Sequence, residues 1–414
     1  MQLKKTVSIH QALALASCSL LAGVQPARAE GWETSASILY YSEQDRVQAI
    51  EPVVRVKKQF SEDEHLAVQV VADSLTGASP NGAVPTTTPQ TFTSPSGEET
   101  YTTPANEIPL DPTFRDERFA LSVEWARPLG RELRSVLLGH FSGEHDYKSM
   151  GLSATLARDF NTRNTTLTGG LSYNSDEVDP VGGVPVGLSD TVLRQRISGT
   201  ENKQVLEALL GVTQVLSRTT LLQLNYTFGQ DSGYLTDPYK LVSVVDAGGN
   251  PVNIVHEKRP EDRTRHALYA RTMTAFGRDV LHVSYRYYWD DWGVNAHTVD
   301  LRYRLQFSGG HYLEPQLRYS LQSSAADFYR PYLPQGETVE HVSADYRLAT
   351  MTTTTLGMKY GIPTRRDGEF ALRVGYMLQT GDDNPAGAPG QLASQDLFPD
   401  TKAIMVQLNY SLLF

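Results

Sequence analysis

The chain has 414 residues, of which 40% are hydrophobic and 20% charged, with a formal net charge of −10 and a single cysteine. The acidic balance argues against a nucleic-acid partner, which would require a basic face, and one cysteine allows neither an internal disulfide nor a thiolate metal cage. No apolar run has the length of a spanning helix, so the only membrane-crossing form open to the chain is a closed β-barrel, in which half of each strand faces a wet lumen.

Residues 1–29 read as an export signal. Lys4 and Lys5 form a positive start, Ala12 to Val24 an apolar middle, and Ala27-Arg28-Ala29 a small-residue cleavage site before Glu30. Leu15-Ala16-Ser17-Cys18 resembles a lipoprotein box, but the apolar Leu20-Leu21-Ala22 after it is unlike a tether. Cleavage after Ala29 removes Cys18, Lys4, Lys5 and Arg28, and lowers the net charge from −10 to −13.

Beyond the signal, segments of about ten alternating residues recur, separated in turn by tight polar links and long ones. In order they cover 32–42, 47–59, 65–75, 116–126, 133–144, 148–158, 164–175, 203–216, 219–230, 263–274, 279–290, 296–307, 312–323, 340–362, 369–380 and 402–414. Val299, Leu301, Tyr303, Leu305 and Phe307, for example, alternate with Asp300, Arg302, Arg304 and Gln306. Such period-two patterning gives a strand one apolar and one polar face. Tyrosines and tryptophans gather at segment ends, as an interfacial girdle requires. Ser61–Glu64, Pro128–Gly130 and Ser308–Gly310 are expected as short periplasmic turns. The stretches 76–115, 177–202, 231–262, 324–339 and 381–401 are expected as long extracellular loops.

The stretch 340–362 allows one long strand or two strands hinged at Ala349-Thr350-Met351. Single-chain bacterial barrels have even strand counts, so it is read as one strand projecting beyond the bilayer. The last segment is the cleanest. Ile404, Val406, Leu408, Tyr410, Leu412 and Phe414 form an apolar face, and the aromatic end suits the strand that barrel-assembly machinery reads; Tyr410, Leu412 and Phe414 are the expected assembly signal. The fold class is therefore all-β, a closed antiparallel transmembrane barrel of about sixteen strands (range 14–18) spanning 30–414.

Several stretches carry a family resemblance: Leu75–Ala83, Asp159-Phe160-Asn161 with Asn164–Leu167, Val181–Pro185, Gly233–Lys240, Tyr287–Gly293 and Ser343–Leu348. On these the chain resembles the "domain of unknown function 3570" family of proteobacterial outer-membrane barrels. The resemblance implies a barrel of roughly this strand number with no assigned activity and no functional residues to transfer. It also implies a loose association with small lipoproteins, thioredoxin-like proteins and flavin transferases, and so with envelope redox or assembly work.

The inward faces of strands eleven to thirteen carry Arg286, Asp300, Arg302, Arg304, Glu314 and Arg318. At an interstrand spacing of about 4.8 Å these can form an arginine–carboxylate lattice. It would either sort solutes by charge or fill the interior with mutually paired groups. His140, Ser142 and Glu144 share a face, as in a hydrolase site, but Leu137 and Phe141 hold the lipid-facing parity and aim the trio inward. Asp290-Asp291 with Asp176, Glu177 and Asp179 offers carboxylate oxygens for calcium without any calcium-loop spacing. Gly182-Gly183 and Gly248-Gly249 lack the strand–helix setting of a phosphate loop. No catalytic residue, metal or cofactor is expected. The leading expectation is a porin-like or gated channel for small polar or charged solutes. The alternative is a non-conducting scaffold holding a loop plug or a periplasmic lipoprotein, and a hydrolase comes last. Expected partners are outer-membrane lipid and the assembly machinery.

Overall fold

The structure, a computed structural model, describes residues 31–364, 368–382 and 387–414. The expected signal sequence, with Ala27 and Ala29, lies outside the described residues.

Sixteen strands form one closed antiparallel barrel. They are β1 (Gly31–Glu43), β2 (Gln48–Ser61), β3 (Glu64–Pro80), β4 (Leu110–Pro128), β5 (Leu133–Gly143), β6 (Tyr147–Phe160), β7 (Thr165–Val178) and β8 (Glu201–Val215). The second half comprises β9 (Thr220–Gly233), β10 (Asp262–Phe276), β11 (Asp279–Asp290), β12 (Asn295–Gln306), β13 (Tyr312–Gln322), β14 (Met351–Thr364), β15 (Gly368–Gly381) and β16 (Thr401–Leu413). Each strand pairs with its sequence neighbour, and β16 pairs with β1 to close the ring, from Glu33 opposite Leu413 to Glu43 opposite Ala403. Closure leaves no free edge, which is what lets a sheet sit in lipid.

The alternation decides which face points out. Leu66, Val68 and Val70 on β3, Phe119, Leu121, Val123 and Trp125 on β4, and Phe370, Leu372, Val374 and Tyr376 on β15 are all exposed on the outer surface. The residues between them face the lumen. This wide apolar outer belt would be untenable in water and matches the lipid-facing band of an outer-membrane barrel. The protein is thus placed in the bacterial outer membrane. The short turns after β2, β4 and β12 sit at the end of the barrel that holds Trp32 and Phe414, and the long links sit at the other, which in such barrels faces outward.

Two boundaries differ from expectation. The stretch 340–362 is not one projecting strand. Strand β14 starts at Met351, and 340–350 turns inward as loop, with a 3₁₀ turn at Tyr346–Leu348 and with Val342, Ala344, Tyr346 and Leu348 buried. The apolar parity of Tyr346 and Leu348 comes from packing inside a folded loop, not from lipid. The loop 76–115 is shorter than expected, because the β3–β4 ladder continues to Pro80 opposite Leu110.

The long links are folded. Residues 81–109 contain a hairpin, Gln90–Thr93 with Thr100–Thr103. Residues 234–261 contain a second, Leu241–Val245 with Pro251–His256, and Leu333–Pro334 from the link 323–350 adds a parallel third strand to it. The link 179–200 carries a short pair, Val184–Pro185 with Arg196–Ile197.

Candidate functional site

The folded links make a cap with its own core. Val242, Val255, Leu333, Val342 and Ala344 pack together, joining 234–261 to 323–350. Val84, Val245 and Leu392 join 81–109, 234–261 and 387–400. Tyr346, Ala349 and Phe398 tie 323–350 to the last link. These links leave the ring at widely separated strands, β3, β9, β13 and β15, so packing them together carries chain across the mouth.

Buried ions reinforce the cap. Arg259 Nη2 lies 2.7 Å from Asp345 and its Nε 2.7 Å from Glu257. Arg347 Nη2 donates to Asp237 at 2.6 Å and its Nε to Asp345 at 2.8 Å. Lys240, 2% exposed, donates to the Pro80 carbonyl oxygen. Burial alone would raise the Asp345 carboxyl, but Arg347 and Arg259 overcome this and hold it well below the usual carboxylate range. Burial raises Glu257, and the opposing Arg259 does not overcome it, with Asp237 and Asp345 adding to the rise. The cap is anchored to the barrel rim: Gln322 Nε2 donates to the carbonyls of Arg347 at 2.9 Å and Ala349 at 3.1 Å. Arg46 reaches Pro399 O at 3.1 Å and Thr401 Oγ1 at 2.8 Å.

Below the cap, the expected lattice on β11–β13 is assembled in part. Arg302 Nε donates to Asp300 Oδ1 at 2.8 Å, and Gln316 Nε2 donates to the other oxygen at 2.6 Å. Arg304 lies 3.2 Å from Glu314 and 3.9 Å above the Tyr312 ring. Arg286 packs over Tyr288 at 5.2 Å and joins no ion pair among the described residues. Arg318 stands across from Asp300 in the strand register, but Asp300 is engaged by Arg302 and Gln316, and Arg318 remains exposed within the lumen.

The sequence reading stopped one register short. Arg373 on β15 donates to Gln316 Oε1 at 2.7 Å and lies 3.5 Å from Glu314; Lys359 on β14 lies 3.3 Å from Glu369; Arg271 on β10 meets His282 at 3.0 Å. Carrying the inward parity across to the neighbouring strands would have found them. The inward parity of β10–β15 therefore carries Arg263, Arg265, Arg271, Arg286, Arg302, Arg304, Arg318, Lys359 and Arg373 against Asp290, Asp300, Glu314 and Glu369. The opposite wall carries the pairs Lys57 with Glu33 at 3.1 Å, Arg55 with Glu124 at 2.9 Å, Arg134 with Asp159 at 3.0 Å and Arg118 with Asp73, and beyond these the inward carboxylates Glu51, Asp116, Asp176, Glu207 and Asp231. One side of the lumen is cationic and the other acidic.

Other candidates separate. Among the described residues no hydrogen bond joins His140 to Ser142, so the trio has no nucleophile–base contact. Asp290 is taken up by Arg263, Tyr288 and the amides of Trp292 and Val294, and Asp176 by Tyr147 and Ser149. The two acidic groups do not converge. The ligand atoms of Asp116, Glu144 and Asp146 do lie within 4.8 Å of one another, a grouping that crosses between β4 and the β5–β6 turn and so is invisible in sequence.

A closed sixteen-stranded sheet with an apolar outer belt and a charged, capped lumen defines a transmembrane β-barrel of the outer-membrane type. Within that class the chain belongs to the family described as protein of unknown function DUF3570, whose model matches residues 10–412. No curated protein matches it. Among solved structures it is similar to a bacterial polysaccharide outer membrane secretin (10% identity, TM-score 0.47, 94% of this chain and 100% of that one). It is similar also to the CymD monoaromatic hydrocarbon channel (10% identity, TM-score 0.44, 98% and 92%). A ferric enterobactin receptor variant from Pseudomonas aeruginosa is 11% identical with a TM-score of 0.45, over 93% of this chain but 60% of the receptor. Likeness this loose carries no functional inference, and the class rests on the chain's own sheet.

Proposed function

We propose that the protein is a gated outer-membrane channel for small polar or charged solutes. The observation that carries this reading is the charge-segregated lumen: nine cations stand with four carboxylates on β10–β15, carboxylates predominate on the facing wall, and Arg302 keeps 40% side-chain exposure. Opposed strips of fixed charge along an aqueous path sort solutes by their charge. A barrel of this strand number is wide enough for an aqueous interior. The cap supplies the gate, since conduction needs the links across the mouth to move. The lumen set Arg286, Asp300, Arg302, Arg304, Glu314 and Arg318, extended by Lys359 and Arg373, is the proposed sorting element.

A second reading is favoured by the cap itself. A lid with a buried core and ion network suits a non-conducting scaffold that houses this plug, or a periplasmic lipoprotein entering from the short-turn end. Planar-bilayer recording separates the two. The channel reading expects discrete, ion-selective steps whose reversal potential shifts toward cation selectivity in the Arg302→Ala/Arg318→Ala double variant. Silence both from folded wild type and from a variant with the cap loosened at Arg259 would overturn it. Co-purification from native membranes with mass spectrometry tests the lipoprotein and the assembly machinery as partners.

A further inference from the structure

The cap holds a cleft of about 840 Å³ that the lumen does not explain. It lies between the 90–103 hairpin, the link 179–200 and the 241–256 hairpin, at the long-loop end of the molecule. Its size is that of a site for an ordinary small organic molecule. One wall is aromatic: Phe92 and Tyr101 stack with ring centroids 5.5 Å apart. Another is cationic: Arg194 and Arg196 both line the cleft, and Arg194 sits against Gly97 at the hairpin tip, its Nη1 3.5 Å from where a Cβ would stand.

Neither arginine has a carboxylate within ion-pair distance among the described residues. Arg196 spends Nη1 on two backbone carbonyls, Gly183 at 2.9 Å and Val181 at 3.3 Å, and the rest of its fork makes no hydrogen bond among the described residues. Asp111 also lines the cleft, but its Oδ1 is occupied by Thr113, through the amide at 2.9 Å and the hydroxyl at 2.7 Å. Beside them His256, 6% exposed, lines the cleft with a buried Nδ1 that meets no hydrogen-bond partner. A buried polar atom left unpaired and a half-buried unpaired guanidinium both carry a desolvation cost that native structures normally offset with a partner. Arginine's planar fork fits the two oxygens of a carboxylate or phosphate.

We propose that this cleft is an outward-facing binding site for a small organic anion with an aromatic or apolar body. The anionic head sits on Arg194 and Arg196 with His256 as a further contact, and the body lies against Phe92 and Tyr101. The site is separate from the lumen, so binding does not require conduction and its failure leaves the channel reading standing.

The test is calorimetric titration of the full chain in detergent with four probes: benzoate, phenyl phosphate, inorganic phosphate and neutral benzyl alcohol. Benzoate or phenyl phosphate is expected to bind saturably, roughly tenfold or more tighter than benzyl alcohol and than inorganic phosphate, and more weakly as salt rises. The stronger of the two names the head group, carboxylate or phosphate. Arg196→Ala should lose roughly tenfold or more in affinity; Arg194→Ala, at an exposed position, guards against a folding defect and should weaken binding in the same direction. Absence of binding by both organic anions, equal binding of benzyl alcohol, or full affinity in a folded Arg194→Ala/Arg196→Ala double variant would each overturn the proposal.

Discussion

Trp32 and Phe414 exchange a reciprocal pair of backbone hydrogen bonds, Trp32 N to Phe414 O at 2.7 Å and Phe414 N to Trp32 O at 2.9 Å. This pair lies at the short-turn end of the seam between β1 and β16, the single junction that turns an open sheet into a barrel. Phe414 itself is 58% exposed, so its ring adds little packing to the folded barrel.

That exposure shapes the first prediction. Full burial of a side chain of this kind contributes about 1.5–3 kcal/mol, and a mostly exposed one less. Phe414→Asp should therefore refold in detergent with near-normal heat modifiability, yet be depleted from the outer membrane and degraded in the periplasm. Quantitative blotting of membrane fractions checks it. Normal outer-membrane levels would show that Phe414 is not the assembly signal.

Arg259→Leu should open the cap without unfolding the barrel. The substitution leaves Glu257 and Asp345 buried without that cation, and breaking a buried pair in this way costs about 3–5 kcal/mol. The β-ladders lie in a separate body of hydrogen bonds and should hold. Limited proteolysis within 234–261 and 323–350 should accelerate while the unboiled gel mobility stays unchanged. Unchanged proteolysis would remove the ion network from the account of what closes the mouth.

Gly249 makes a second, independent test of the cap. Its φ is +76°, and a Cβ there would stand 2.2 Å from the Pro389 carbonyl oxygen. Gly249→Ala carries about 1–2 kcal/mol of backbone strain alone, and the clash forces the 241–256 hairpin away from 387–400. Hydrogen exchange should rise at Val245 and Leu392, which pack together in that contact, and not on β10–β15.

Acid should loosen the cap through His256. Burial, with the positive charge of Arg196 nearby, pushes this imidazole down to about 4 from an ordinary value near 6.5. A base with a depressed folded-state value contributes its stability in full above about pH 6.5 and loses it as pH falls toward 4. Cap protection measured by hydrogen exchange should therefore decline across that window. His256→Gln should flatten the decline, leaving only what other groups contribute; Glu257, raised by burial, acts in the opposite sense. An identical pH profile in the variant would exclude His256 as the titrating group.

The barrel was legible in the sequence because lipid imposes one rule on every strand. Side chains alternate strictly, so Val299 and Leu301 announce their outward face and Asp300 and Arg302 their inward one before any coordinate is known. The same rule located six charged lumen residues, since parity depends on nothing beyond the strand that bears them.

What the rule could not supply was anything that depends on two distant parts of the chain meeting. Arg373 joins Glu314 only because β15 lies one strand beyond β14 in the closed ring. Tyr346 and Leu348 share parity with β14, and only packing against Phe398 and Trp292 shows that they belong to a loop core. The cap, its buried Arg259–Asp345 pair and the Arg194–Arg196 cleft are made of irregular links with no period to read. Local sequence fixes a periodic element because its environment is uniform along its length; a folded loop has no such environment until its partners arrive, and those partners are chosen by the tertiary structure alone.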